Sequence, residues 1–427
     1  MFTGGYCQIN IKKSEELPRI QPLILHPNKL EFMHPQSSQA VRIDSSHNIR
    51  LVCPGEDNVF SLSKGATRTL RSVTPSCVRY NLFNARDIRE SDLTIKELGC
   101  DKEFTATAVS TGESCPGQKG SRIRIGYELN PLLKNEFVPT MDVCFDQANY
   151  DAIYSTVKLT PSIQHRQWDV KRPDEFAAGS FYGTIGILQL YNRYKQREAF
   201  SAILGSKQIA EKYIPRDPPD SKYYLSRGHL TPMADFIYGA EQRSTFFYVN
   251  VAPQWQIFNE GNWVELEISL RKFAAQRTSP LTVYTGTWGT TKLEDKNGKL
   301  QPMYLYVDNK NNKRGVKVPA YFWKVLYDPV TQEGAAFVGI NNPFLKNVNN
   351  QVFCAPDICD NFKWLQWDPH NITKGYSFCC TVDEFRKTVN TLPDFPVKSA
   401  FTPESTHCKT YDACNRPLRT RPYGHGG

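Results

Sequence analysis

Twelve cysteines in 427 residues constrain this chain more than any other feature. Their number is even, and they are scattered outside any redox motif. Such a set reads as six disulfides formed in an oxidising compartment. Six of them, Cys7, Cys53, Cys77, Cys100, Cys115 and Cys144, fall within residues 1–150. Cys379 and Cys380 are neighbours, and a bond between neighbours would be strained. Two bridges joining this pair to Cys354 and Cys359 are therefore expected. A zinc site is the competing reading. The sequon Asn371-Ile-Thr373 also fits export.

The hydrophobic share of 40% is enough for two globular domains. Residues 1–150 carry short alternating runs, such as Ile49, Leu51 and Cys53, or Ile123, Ile125 and Tyr127. They are expected to form a small disulfide-stapled β-rich domain. An α+β domain with a central sheet and flanking helices is expected over 151–414, with one helix in 185–204. Residues 415–427 read as a basic, disordered tail. No stretch is apolar enough to span a membrane. The start, MFTGGYCQINIKK, has no apolar signal core and reads as a mature chain.

The chemistry concentrates in Tyr223–Lys272. Trp263, Leu266, Leu270 and Phe273 recur at helical spacing. Asn262 followed by Glu265 approximates a capping pattern, which places the helix start near 262. Phe246–Val251 is aromatic and β-branched and reads as a strand that Pro253 ends. The expected order is an Arg-Gly-His segment, a strand, an amide-rich turn and a helix.

That set suits water attack on a phosphodiester. His229 titrates near neutrality and can act as a general base. Arg227 offers a planar fork to phosphate oxygens. Asn250, Gln254 and Asn259 offer amide oxygens, hard ligands suited to Mg²⁺ or Mn²⁺. Glu267 can hold the waters of such an ion. Each residue alone also has a bland reading, a turn amide or a solvated glutamate; the linked pattern is what points to catalysis.

The same segment resembles the DNA/RNA non-specific endonucleases, whose active site is a ββα-metal motif. Their signature is Asp-Arg-Gly-His followed by Asn, Gln and a metal-binding Asn. The resemblance implies His229 as base, Arg227 as its neighbour and Asn259 as the direct Mg²⁺ ligand. It also implies Glu267 acting through water, with Asn250 and Gln254 lining the site. Ser226 stands where much of the family has Asp. VYTGTWG at 283–289, VPAYFWKVLYD at 318–328 and FVGINNP at 337–343 look like core strands and turns of that domain. CQIN followed by LPRIQPLILHP looks like the start of secreted arthropod nucleases, including enzymes that degrade double-stranded RNA and a duplex-preferring nuclease. The resemblance implies a secreted, Mg²⁺-dependent endonuclease that cuts DNA and RNA and leaves 5′-phosphates.

The net charge of +9 has the sign that a polyanion favours. Candidate nucleic-acid contacts are Arg227, Arg271, Lys313 and Arg314. Further basic clusters lie at Arg193, Lys195 and Arg197, at Lys310 and Lys317, and at Arg416, Arg419 and Arg421 in the tail. The alternative function is a secreted nucleic-acid-binding protein on the same fold that has lost turnover through Ser226. A mitochondrial relative fits the cysteine content less well.

Overall fold

The computed structural model describes residues 5–36, 40–62, 70–116, 120–130, 136–218 and 221–401. An eight-stranded antiparallel sheet forms its centre. Four strands come first: β1 (Thr107–Ser114), β2 (Ser121–Glu128), β3 (Phe137–Asp146) and β4 (Asp151–Leu159). The chain then leaves the sheet for helix α1 (Arg193–Leu204) and for a separate hairpin of β5 (Leu225–His229) and β6 (Val251–Trp255). Helix α2 (Val264–Ala275) follows. The sheet is completed by β7 (Leu281–Trp288), β8 (Tyr321–Asp328), β9 (Glu333–Ile340) and β10 (Ser377–Cys380). The spatial order is β1-β2-β3-β4-β7-β8-β9-β10.

The central strands are buried on both faces, which explains the near-continuous apolar runs of β8 and β9. Alternation divides β8 between two cores. Phe322 and Leu326 join Trp263, Leu266 and Phe273 of the hairpin-and-helix side. Trp323 and Val325 join Val338, Phe378 and Phe385 on the other. Lys324 shares the parity of Phe322 and Leu326, so a charge sits on the face that carries the hairpin.

Residues 5–100 form small two- and three-stranded antiparallel sheets, stapled by Cys7–Cys77 and Cys53–Cys100. The boundary expected at residue 150 is not where the structure divides. β3 pairs with β4 and β4 with β7, so strands from residue 107 onward belong to the central sheet. Cys115–Cys144 lies within that sheet, joining the chain just after β1 to β3. The reason is pairing: β4 needs a hydrogen-bonded neighbour on each side, and only β3 and β7 supply them. The N-terminal unit is docked by polar contacts as well. Gln167 Nε2 donates to the Ile11 carbonyl at 2.8 Å, His34 Nε2 lies 2.9 Å from Glu241 Oε1, and Tyr238 donates to the Met33 carbonyl.

The other cysteines behave as expected where they are described. Cys354 bridges to Cys380 and Cys359 to Cys379. Asp357, Cys359 and Cys379 come close enough to resemble a metal cluster, but both sulfurs are spent in a disulfide, so the zinc reading falls. Cys408, Cys414 and the basic tail lie outside the described residues. No helix among the described residues is long and apolar enough to cross a membrane.

Three local expectations change. Residues 185–204 form a single turn, Ile187–Leu190, and then α1, because the Asn192 side chain accepts from Tyr194 N and starts a new helix. The strand expected at 246–251 lies at 251–255, with Pro253 inside it. Proline is tolerated there because the hairpin has only two strands and needs no further donor at that position. Helical geometry begins before Asn262, at Gln256–Phe258, and passes through a wide π-type turn over Asn259–Trp263. A fragment beginning at Asp151 should therefore fail to fold. Circular dichroism should show no cooperative thermal transition; a sharp one would restore the boundary at 150.

Candidate active site

The β5–β6 register pairs Ser226 with Gln254, Arg227 with Pro253, Gly228 with Ala252 and His229 with Val251. The period of two turns Arg227 and His229 to one face of the hairpin. Gln254 covers the other. A Cβ on Gly228 would meet Gln254 Cβ and Oε1 at 2.5 Å, so only glycine lets the two strands close at this point. Gln254 is fully buried, and neither of its amide atoms has a hydrogen-bond partner among the described residues.

Arg227 is held by aromatic rings rather than by a carboxylate. Its Nε donates to Tyr248 Oη at 2.9 Å. Its guanidinium carbon lies 5.3 Å from the Tyr191 ring, 5.5 Å from Phe176 and 5.6 Å from Tyr248. Ser226 does not orient it: the hydroxyl donates across the hairpin to the Gln254 carbonyl at 3.0 Å. Beside Arg227 opens a cavity of about 450 Å³, lined also by Asp174, Glu175, Phe176, Tyr191 and Tyr248.

His229 packs between Phe176 and Phe246, each with ring centroids at 5.2 Å. Its Nε2 is buried and unpartnered among the described residues. Burial, then the charges of Arg172 and Lys324, push the imidazole down to about 3. The ring is therefore neutral across the working range, but in these surroundings it is a weaker base than the free imidazole expected from the sequence. An arriving phosphate would supply the negative charge that a protonated ring lacks here.

The helix side carries the acids. Glu267, in the first turn of α2, is mostly buried, and burial pushes its carboxyl up to about 7 against the pull of Lys324 and Arg271. Arg271 Nη1 lies 2.9 Å from Asp235 Oδ1 and 3.9 Å from Glu267 Oε2. Lys324 Nζ donates to the Leu230 carbonyl at 3.1 Å and to Thr285 Oγ1 at 2.8 Å, and lies 5.4 Å from the Trp263 ring. Asn259 lies in the π-type turn, half-buried, and its side chain makes no hydrogen bond to another described residue. That turn is fixed from below. A Cβ on Gly261 would meet the Lys374 carbonyl at 2.6 Å. The Asn262 amide donates to the carbonyls of Asp368 and Gly375 at 2.7 and 2.8 Å, so it anchors a loop and does not cap the helix.

Two expected site residues are committed elsewhere. The Asn250 amide accepts from Thr231 N at 3.1 Å and donates to the carbonyls of Thr231 and Thr245 at 2.9 and 3.0 Å. Fully buried, with both amide N–H groups donated and its oxygen already accepting, it clamps the segment after His229. Arg271, at 12% exposure and paired with Asp235, is an internal counter-ion and not a surface contact. Lys313 and Arg314 lie on the Tyr304–Asp308/Lys313–Lys317 hairpin, bonded to Tyr150 Oη at 2.9 Å and Asn309 Oδ1 at 3.0 Å. Lys195 is paired with Glu198 at 2.8 Å. Sequence reasoning missed Lys324, Asp235, Tyr248 and Phe176. Lys324 left a signal, as the one charge inside the apolar run Tyr321–Tyr327; the others left none.

The sequence model of the DNA/RNA non-specific endonuclease family matches residues 118–385, more than half of the chain. The chain belongs to that family, and it is an endonuclease that acts on nucleic acid. It is 32% identical over 304 residues to a salivary endonuclease of Lutzomyia longipalpis, covering 70% of this chain and 68% of that protein. It is 26% identical over 402 residues to the salivary protein Tsal2A of Glossina morsitans morsitans, covering 92% of this chain and 94% of the relative. A chain in the crystal structure of the EndoG/EndoGI complex is similar at 17% identity over 61% of this chain and 87% of that one, with a TM-score of 0.31. The family is generally dependent on a divalent metal.

The two asparagines should separate cleanly. Asn250→Ala strands three buried backbone groups and should cost about 2–4 kcal/mol. Asn259→Ala should stay within about 0.5 kcal/mol of the parent in chelator. Equal denaturant midpoints for the two variants would refute this division. Glu267 gives a pH test in metal-free protein. Its folded-state value lies above its ordinary 4.5, so the folded chain holds a proton that the unfolded chain has released between about 4.5 and 7. Stability from this group is present below that window and lost as pH rises through it. His229 acts oppositely between 6.5 and about 3. The melting temperature of Glu267→Gln minus that of the parent should therefore climb from pH 5 towards about pH 7.5; a flat difference would contradict it.

Proposed function

We propose that the protein is an exported, Mg²⁺-dependent endonuclease that cleaves phosphodiester bonds within DNA and RNA, duplex RNA included, and leaves 5′-phosphates. The observation that carries this reading is the placement on one hairpin face of a buried His229 and of an Arg227 bonded through Nε alone, with neither the His229 Nε2 nor the Arg227 terminal nitrogens hydrogen-bonded among the described residues. His229 takes the proton from the attacking water. Arg227 binds and orients the phosphate, steadied by Tyr248, Tyr191 and Phe176. The aromatic walls around His229 keep bulk water from competing for its proton.

The donor set fits a hard divalent cation. The Asn259 side chain is unengaged, and the buried carboxylate of Glu267 lacks a close hydrogen-bonded partner. Asn259 would hold the ion directly and Glu267 would hold its waters. Bound there, Mg²⁺ supplies positive charge to the phosphate and leaving oxygens. Ser226 favours turnover over the binding-protein alternative, since Arg227 is oriented without a neighbouring carboxylate. Export is supported by the five disulfides and by the salivary names of the relatives.

The test is cleavage of plasmid, single-stranded DNA and double-stranded RNA with Mg²⁺ or chelator. His229→Ala should lose about 10²–10⁴ in kcat while keeping its fold and its binding. Asn259→Ala should raise the Mg²⁺ concentration for half-maximal rate by more than Glu267→Gln does. Near-normal turnover by a folded His229→Ala protein, or an unchanged Mg²⁺ requirement in Asn259→Ala, would remove those residues from their roles.

A further inference from the structure

Where the N-terminal unit meets the catalytic domain, residues 11–24 face residues 167–171 and 238–243 across a groove of about 310 Å³. Four cations line it, Lys12, Arg19, Lys171 and Arg243, against two carboxylates, Glu103 and Asp169. Trp168 stands at its edge, 55% exposed, with the Arg166 guanidinium 3.8 Å from its ring centre. A flat ring joined to a guanidinium offers a stacking face together with positive charge, the combination that suits a nucleic-acid strand. Lys12 is drawn into the same place: its Nζ donates to the Gln164 carbonyl at 3.3 Å. Partial burial, then the Arg166 charge, holds its amine below the ordinary value. Folding thus brings cations from the two units to one seam and leaves it net positive, with Lys171 4.0 Å from Asp174 Oδ1.

The seam runs into the catalytic face. Phe176 packs on His229 with centroids 5.2 Å apart. The five residues from Lys171 to Phe176 span at most about 18 Å, roughly half the ~34 Å rise of one duplex turn. Duplex nucleic acid is stiff on this scale, with a persistence length of about 150 bp. A stiff duplex laid along that surface from His229 would stay against the seam, whereas a single strand could turn away from it.

We propose that this groove is a second nucleic-acid contact, in which Lys12, Arg19 and Lys171 meet backbone phosphates and Trp168 lies against the exposed edge of a double-stranded substrate. The inference rests on the nuclease reading above and gives the N-terminal unit the task of holding substrate. The test uses the full chain with Arg19 and Lys171, both exposed, changed together to Gln, and separately Trp168→Ala. Cleavage is measured on a long duplex, a long single strand, and a dinucleotide, the smallest strand with a bond to cut, which reaches only about 7 Å at ~3.4 Å per base.

For the double variant, KM on the long duplex should rise roughly tenfold, and the slope of log affinity against log salt should shrink by about 2. Trp168→Ala should weaken duplex binding several-fold. The dinucleotide should be cut at the parent rate, and kcat should hold throughout. Unchanged duplex KM and salt slope, or equal losses on the short substrate, would overturn the proposal; equal losses on the long single strand would overturn its duplex part. Duplex binding in chelator reads the groove without turnover. A parent protein that cuts nothing with Mg²⁺ but loses duplex affinity in the double variant would defeat the nuclease reading and leave the groove standing.

Discussion

A lysine ammonium buried at the centre of a sheet needs oxygen and negative charge around it, and Lys324 obtains both from the catalytic machinery. Its Nζ donates to the carbonyl that follows His229 and to Thr285 on the neighbouring strand. Burial lowers its pKa, while Glu267 and Asp235 pull it back up. The stiffest element of the fold is thereby tied to the histidine hairpin and, through charge, to the acid on α2. A buried cation that lost these partners would be costly to keep charged, so sheet, hairpin and helix must assemble around it together.

The same economy shapes the two sides of the site. On the hairpin side, aromatic rings and a tyrosine hydroxyl hold Arg227, and among the described residues no carboxylate is bonded to its guanidinium. On the helix side the charges are balanced internally, Arg271 against Asp235 and Lys324 against Glu267. One half presents free positive charge and the other a buried acid held near neutrality. That division is what a site joining a polyanion to a divalent cation requires.

The ββα segment was largely legible because its chemistry is local. Arg227 and His229 are two residues apart on one strand, and helical spacing marked Trp263, Leu266, Leu270 and Phe273. Where local rules misled, a distant partner had intervened. Asn262 followed by Glu265 has the look of a cap, but the amide is taken by the loop at Asp368–Gly375. Asn250 reads as a site amide, yet three backbone groups of Thr231 and Thr245 consume it. Phe246–Val251 has strand composition but all of it before Val251 lies in a buried turn, because pairing with β5 selects Val251–Trp255.

Taken alone, the sequence determined the class of chemistry and that the four late cysteines bridge among themselves, and it nominated His229, Asn259 and Glu267 for the site. These depend on residue type and short spacing, which survive without knowledge of long-range contacts. Only the tertiary structure decided where the central sheet begins, since strand pairing between residues 107 and 159 cannot be read from alternation. It also decided which charges are spent on one another, turning Arg271 into an internal counter-ion and Lys324 into the link between sheet and site. Burial and partner choice set the free energy of a charged group, and both are properties of the folded chain.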